Sequence, residues 1–137
     1  MIIDALLQFS DAQDVTSGGV SDNYVDLRQA EPDMGLWEKQ LNVVVCPTTA
    51  LTGSDGKLTV EIQDCDTKAG SYATIQTTGP IDVAKVTSTA PIIVPLPKKH
   101  RRFLKLKYTV GGTVSAGAVS AYLTDCIQAN TNWMPEK

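Results

Sequence analysis

One histidine, three cysteines and eight aromatic residues in 137 positions leave this sequence little from which to build chemistry. A Ser-His-Asp arrangement would have to use His100, whose neighbours Lys98, Lys99, Arg101 and Arg102 are all cations and offer no carboxylate to orient the ring. The cysteines, Cys46, Cys65 and Cys126, are odd in number and widely spaced. They make neither a disulfide framework nor a CxxC metal pair, and read as small apolar residues of a reduced protein. Asp64 and Asp66 flank Cys65, the reverse of the electropositive setting that activates a thiol. HExxH, Walker-type and GxSxG motifs are absent. Asp64-Cys65-Asp66 lacks the glycine and terminal Glu of an EF-hand loop, so it reads as a solvated turn at a strand end. No catalytic residue, metal or cofactor is therefore expected. No apolar run approaches the roughly 20 residues of a transmembrane helix, and the N-terminus lacks the basic start and cleavage site of a signal peptide. The expectation is a chain without a membrane partner, folded in a cytoplasm.

What the sequence does have is segregated charge. Residues 1–45 carry eight acids against Arg28 and Lys39, whereas residues 95–110 carry six bases and no acid. A molecule charged so unevenly is suited to oriented docking. It also has alternation. Leu58, Val60 and Ile62 interleave with Lys57, Thr59, Glu61 and Gln63, the pattern of a half-buried strand. Ser54-Asp55-Gly56-Lys57 before it is a tight-turn signal. Leu41–Cys46 is a β-branched run that Pro47 is expected to stop. Tyr72–Thr78, Ile81–Val86, Pro91–Val94, Asn23–Leu27 and a long segment from Ala116 to Ile127 complete the set. Gly111-Gly112 is expected to join the last of these to the basic strand as a hairpin or close neighbour. No window shows a convincing helical stripe; Ile2–Phe9 is legible either as a short helix or as an extended arm. The predicted architecture is a single all-β domain over residues 1–137, an eight-stranded jelly-roll β-sandwich with an N-terminal arm (1–14) and a C-terminal tail (128–137).

Within the basic stretch, Leu104, Leu106, Tyr108 and Val110 should face a core and Phe103, Lys105, Lys107 and Thr109 should face outward. Lys98-Lys99-His100-Arg101-Arg102 should form a loop after Pro95-Leu96-Pro97. A loop of this kind can hold DNA phosphates, but the remaining 121 residues carry fifteen acids against six bases. Single-strand binders also add stacking aromatics. No nucleic-acid partner is expected, and an acidic protein surface suits the loop better. Trp37, in Met-Gly-Leu-Trp-Glu, suits a core or subunit contact. Trp133, in a polar tail, suits burial against a partner, worth roughly 1.5–3 kcal/mol.

Leu7-Gln8-Phe9-Ser10-Asp11-Ala12-Gln13, Asp22-Asn23-Tyr24-Val25-Asp26-Leu27 and Arg102-Phe103-Leu104-Lys105-Leu106-Lys107-Tyr108-Thr109-Val110 resemble the Bbp16-type capsid cement proteins of tailed phages. Gly111-Gly112 and Ser115-Ala116-Gly117-Ala118-Val119 fit as well. The resemblance implies a jelly roll that binds the outer surface of a head built from the HK97-type major capsid protein and strengthens contacts between capsomers. It also implies a homo-oligomer, for which a dimer is preferred to a trimer, assembled in a bacterial host cytoplasm. The candidate capsid or subunit contacts are Lys98, Lys99, His100, Arg101, Arg102, Ile2, Ile3, Leu6, Phe9 and Trp133. The alternative from another class is a carbohydrate-binding β-sandwich on a virion surface, which needs an aromatic platform.

Overall fold

The computed structural model describes residues 4–28 and 41–125. They form ten strands in two antiparallel sheets, with no α-helix among the described residues. The first sheet has the order β1 (Gln8–Asp14), β10 (Ala116–Thr124), β4 (Asn42–Thr52), β8 (Ile92–Pro95). The second has β2 (Gly19–Val20), β9 (Phe103–Gly111), β5 (Lys57–Cys65), β6 (Ala73–Thr77). Two further short strands complete it: β3 (Val25–Asp26) also pairs with β9, and β7 (Ile81–Asp82) also pairs with β5. Counting β2 with β3 and β6 with β7 as single broken strands leaves eight segments, ordered 1-8-3-6 in one sheet and 2-7-4-5 in the other.

Alternation builds the core as expected. Leu58, Val60 and Ile62 of β5 and Leu104, Leu106 and Tyr108 of β9 share one apolar cluster with Val43, Val45, Val119, Ala121 and Leu123 of the opposite sheet. A single sandwich core therefore lies between the two sheets. One polar chain enters it. Gln13 Oε1 accepts from the Asp22 amide (3.0 Å) and from Ser10 Oγ (2.7 Å), while Gln13 Nε2 donates to Val20 O (2.8 Å). The Ser10 hydroxyl has thus spent its proton, so Tyr108 OH donates to it at 2.8 Å. Burial pushes the Tyr108 phenol well up and keeps that proton in place. Together with Asn23 N–H donating to Phe9 O (2.9 Å), the chain ties β1 to the β2–β3 segment along one margin of the sandwich.

Several expectations are corrected. Gly111-Gly112 does not make a hairpin, because β9 and β10 lie in different sheets. The chain crosses between the sheets there: Gly112 takes φ +67°, and a Cβ on it would collide with the Asp55 carbonyl. Ser54–Lys57 is likewise a corner between sheets, with Asp55 supplying the positive φ of 53°. The two crossings stack on each other, with Thr113 N–H donating to Ser54 O (3.2 Å). Pro47 does not end its strand. Leu41 O accepts from Leu96 N–H, so odd-numbered residues of β4 point their amides toward β8, and that pairing stops at Val45. The missing N–H of Pro47 therefore falls on an unpaired edge, where a ladder loses nothing. Ile81–Val86 is a strand only at Ile81–Asp82 and then turns once as a 3-10 helix at Val83–Lys85.

The N-terminal arm also contracts. Ala5–Leu7 is one 3-10 turn capped by Asp4, and from Gln8 onward the chain is β1, hydrogen-bonded to β10. Phe9 is fully buried in the core, so it is not available as an external contact.

Leu104→Ala, in a strand with neighbours on both sides, is expected to lower unfolding free energy by about 2–5 kcal/mol. Tyr108→Phe, which removes one donor from the Ser10 chain, is expected to cost only about 1 kcal/mol. Urea unfolding monitored by tryptophan fluorescence and circular dichroism would check both values and their order.

Candidate docking surface

The basic stretch separates into cations that hold the molecule together and cations that do not. Leu96, buried, fixes the start of the loop by donating its amide to Leu41 O (2.9 Å). Lys98 and Lys99 follow as exposed side chains, and neither forms an ion pair with another described residue. His100 is half-buried, with Nδ1 3.3 Å from Arg101 O.

Arg101 turns inward. Its amide donates to Asp64 Oδ2 (2.9 Å), Nε and Nη2 donate to Asp64 Oδ1 (3.0 and 2.9 Å), and Nη2 also reaches Asp64 O (2.8 Å). The Asp64 side chain is only 6% exposed and Cys65 is buried at the end of β5, so of Asp64-Cys65-Asp66 only Asp66 lies in the solvated turn expected there. A carboxylate withdrawn from water needs its lone pairs filled, and one arginine fills them from both backbone and fork. Asp66 adds a looser contact to the same guanidinium at 3.5 Å. Arg102 forms a second fork, Nε to Asp26 Oδ1 (2.7 Å) and Nη2 to Asp26 Oδ2 (3.0 Å), and its carbonyl accepts from Leu27 N–H (3.0 Å). The hydrogen bonds from Arg102 hold the Asp26 carboxyl down at about 2, and both arginines are held above their ordinary values by the carboxylates they meet.

Next to this loop, the outer face of the second sheet carries an arrangement that sequence reasoning missed. Phe103 points away from the core, as its register requires, yet is only 9% exposed. The Tyr24 ring packs on it at 5.8 Å between centroids, and the Arg102 guanidinium lies 4.9 Å from its centre. Lys68 Nζ sits 4.7 Å over the Tyr24 ring, and Lys105 Nζ sits 5.3 Å over that of Tyr72. Tyr72 OH donates to Lys68 O (3.0 Å), which holds the 65–72 turn against the same face. Three separated segments supply these groups, so no local window displays them. The available signal was the two-residue spacing that puts Phe103 and Lys105 on one face. Lys107, further along β9, is engaged by Glu61 at 3.7 Å.

The other candidates disperse. Leu6 is 71% exposed, whereas Phe9 is in the core. Ile2, Ile3, Trp37 and Trp133 lie outside the described residues. At the margin opposite the Ser10 chain, a groove of about 450 Å³ opens between β8 and the β6–β7 segment, lined in part by Thr78, Ile81, Val86, Ile92 and Val94. Ile93 and Pro95 of β8, with Pro91 just before it, occupy the outward-facing amide positions, so Ile93 supplies the one N–H there and strand addition is discouraged. Among the described residues no group of three or more His, Cys, Asp or Glu side chains could hold a metal ion. Among them, too, no helix is long and apolar enough to cross a membrane.

Because the folded Asp26 carboxyl titrates near 2 rather than 3.8, its pairing contributes stability that is complete above the ordinary value and disappears as the pH falls through about 2. Asp26→Asn is expected to lower stability across the neutral range, to flatten the acid limb in that window and to leave the slope of the neutral-to-alkaline limb unchanged. Acid titration followed by circular dichroism measures both limbs.

No curated protein matches the chain. Residues 9–123, which span all but the first residue of β1 and nearly all of β10, match the Bbp16 family model, and the chain belongs to the Bbp16 family.

Proposed function

We propose that this is a structural cement protein that binds the outer surface of a tailed-phage head made of HK97-type major capsid protein and reinforces contacts between capsomers. The observation that carries the proposal is the division of labour in the basic loop. Arg101 and Arg102 are locked onto Asp64 and Asp26, so Lys98 and Lys99 are presented outward from a fixed base. A pre-ordered charged loop loses little entropy on docking and selects an acidic protein surface. Membership of the Bbp16 family supports the same reading, as does the strand order, which suits a jelly roll.

The proposal needs no catalysis, cofactor, nucleic acid or membrane. Its partners are the major capsid protein and further copies of the chain, with a dimer preferred to a trimer. Its location is the virion exterior after assembly in the bacterial host cytoplasm. Individually weak contacts suffice, because an oligomer gripping several capsomers gains avidity and opposes their separation. The carbohydrate-binding alternative requires open aromatic faces. Tyr24, Tyr72 and Phe103 each already carry a cation over the ring.

Purified expanded shells mixed with the protein and sedimented test this directly. Wild-type protein is expected to co-sediment, and Lys98→Ala with Lys99→Ala is expected to weaken occupancy by roughly three- to tenfold, more at low salt than at high. Arg101 is a poor choice for this test, because removing it strands the buried Asp64 carboxylate. Failure of the wild-type protein to bind shells would sink the cement reading.

A further inference from the structure

We infer that the outer face of the second sheet, with Lys68 and Lys105 seated on Tyr24 and Tyr72, is a binding site for an acidic polypeptide segment. The two ammonium groups lie 4.7 and 5.3 Å from ring centroids, and neither forms an ion pair with a carboxylate among the described residues. On an ordinary surface a lysine not engaged by an acid is a mobile, fully hydrated charge. Here each is steered by a ring and restricted in direction, so a partner carboxylate meets a charge that is already placed. The rings are themselves held. Tyr24 packs on Phe103, and Tyr72 is tied to the 65–72 turn through its hydroxyl. Arg102 covers the Phe103 ring while its fork grips Asp26, so it braces the array rather than serving as a free cation.

Three features choose the ligand class. The ring faces that a base or a sugar would stack upon are the faces the cations occupy, which disfavours single-stranded nucleic acid and neutral glycans. Glu61 and Asp66 lie close by, paired to Lys107 and Arg101, and would repel a continuous phosphate backbone more than a side chain that can place one carboxylate at a time. The remaining charge is two separated ammonium groups beside polar strand positions such as Gln63, whose amide donates to Thr74 Oγ1 at 3.2 Å. An extended segment bearing Asp or Glu residues matches this pattern. Assigning that segment to a capsid surface rests on the cement reading; the site itself does not.

The test is fluorescence anisotropy of a labelled Asp- and Glu-rich peptide with the full chain, beside a single-stranded oligonucleotide of equal charge. The peptide should bind more tightly than the oligonucleotide and lose affinity as salt is raised. Lys68→Ala with Lys105→Ala should weaken peptide binding roughly tenfold, and Tyr24→Leu with Tyr72→Leu about threefold. Lys57→Ala with Lys85→Ala, at the other end of β5, should change nothing. In the unaltered protein, peptide titration should shift the ring-proton signals of Tyr24 and Tyr72 and leave those of Tyr122 in place. Equal peptide affinity in the Lys68/Lys105 variant, tighter binding of the oligonucleotide, or unshifted Tyr24 and Tyr72 signals would overturn the inference. Adding purified shells separates the two claims. A peptide bound at this face with shells left unbound keeps the site and removes the cement reading. Shells bound equally by wild type and variant, with peptide affinity also unchanged, do the reverse.

Discussion

A carboxylate at the end of a sandwich core is the constraint around which the basic end of this molecule is organised. Asp64 occupies an inward position of β5, continuing the series Leu58, Val60, Ile62, where an apolar residue would otherwise stand. Once placed there it must be answered, and Arg101 answers it with its amide and its whole fork. That requirement fixes the path of the chain between β8 and β9. It also fixes Arg102, the next residue, against Asp26 on the far edge of the sheet. The pair is better understood as specifying a loop conformation than as adding stability, since buried ion pairs often return little more than the desolvation they cost. Without it the five basic residues would be one mobile patch; with it they become two anchors and two presented lysines flanking a half-buried histidine.

The two lateral margins of the sandwich are treated differently. Along one, the Tyr108–Ser10–Gln13 chain joins the sheets through satisfied hydrogen bonds, so a buried tyrosine hydroxyl becomes a device that closes an edge. Along the other, the sheets part into a groove, and prolines on the outward positions of β8 guard its exposed strand. An exposed strand edge invites edge-to-edge pairing between copies, and missing amides on that edge discourage it. Cations gather at the end and outer face where Arg101 and Arg102 are anchored.

Much of the fold was legible because it depends on local alternation. The strands of β5 and β9, their inward residues and the outward lysines follow from a period of two. The crossings between sheets were not legible. Asp55-Gly56 and Gly111-Gly112 carry the same local signal as hairpin turns, and only the stacking of one corner on the other decides that the chain changes sheet. Pro47 misled for a related reason: whether a missing amide matters depends on the length of the neighbouring strand. Phe9 shows the limit of reading an apolar N-terminus as an arm, since its burial depends on pairing with β10, more than a hundred residues later. At the candidate site the charges were visible and their partners were not. Asp64 and Asp26 are dozens of residues from the arginines they hold, and the tyrosines under Lys68 and Lys105 come from separate segments.

The central claim is that the fixed basic end of the molecule is its docking surface. A side-chain-resolution image of the head with this protein bound tests it most directly. The account predicts density for the Lys98–Lys99 loop, and for the adjacent outer face of the second sheet, against acidic side chains of the capsid exterior. A protein seated through another surface, with that loop and face turned to solvent, would contradict it.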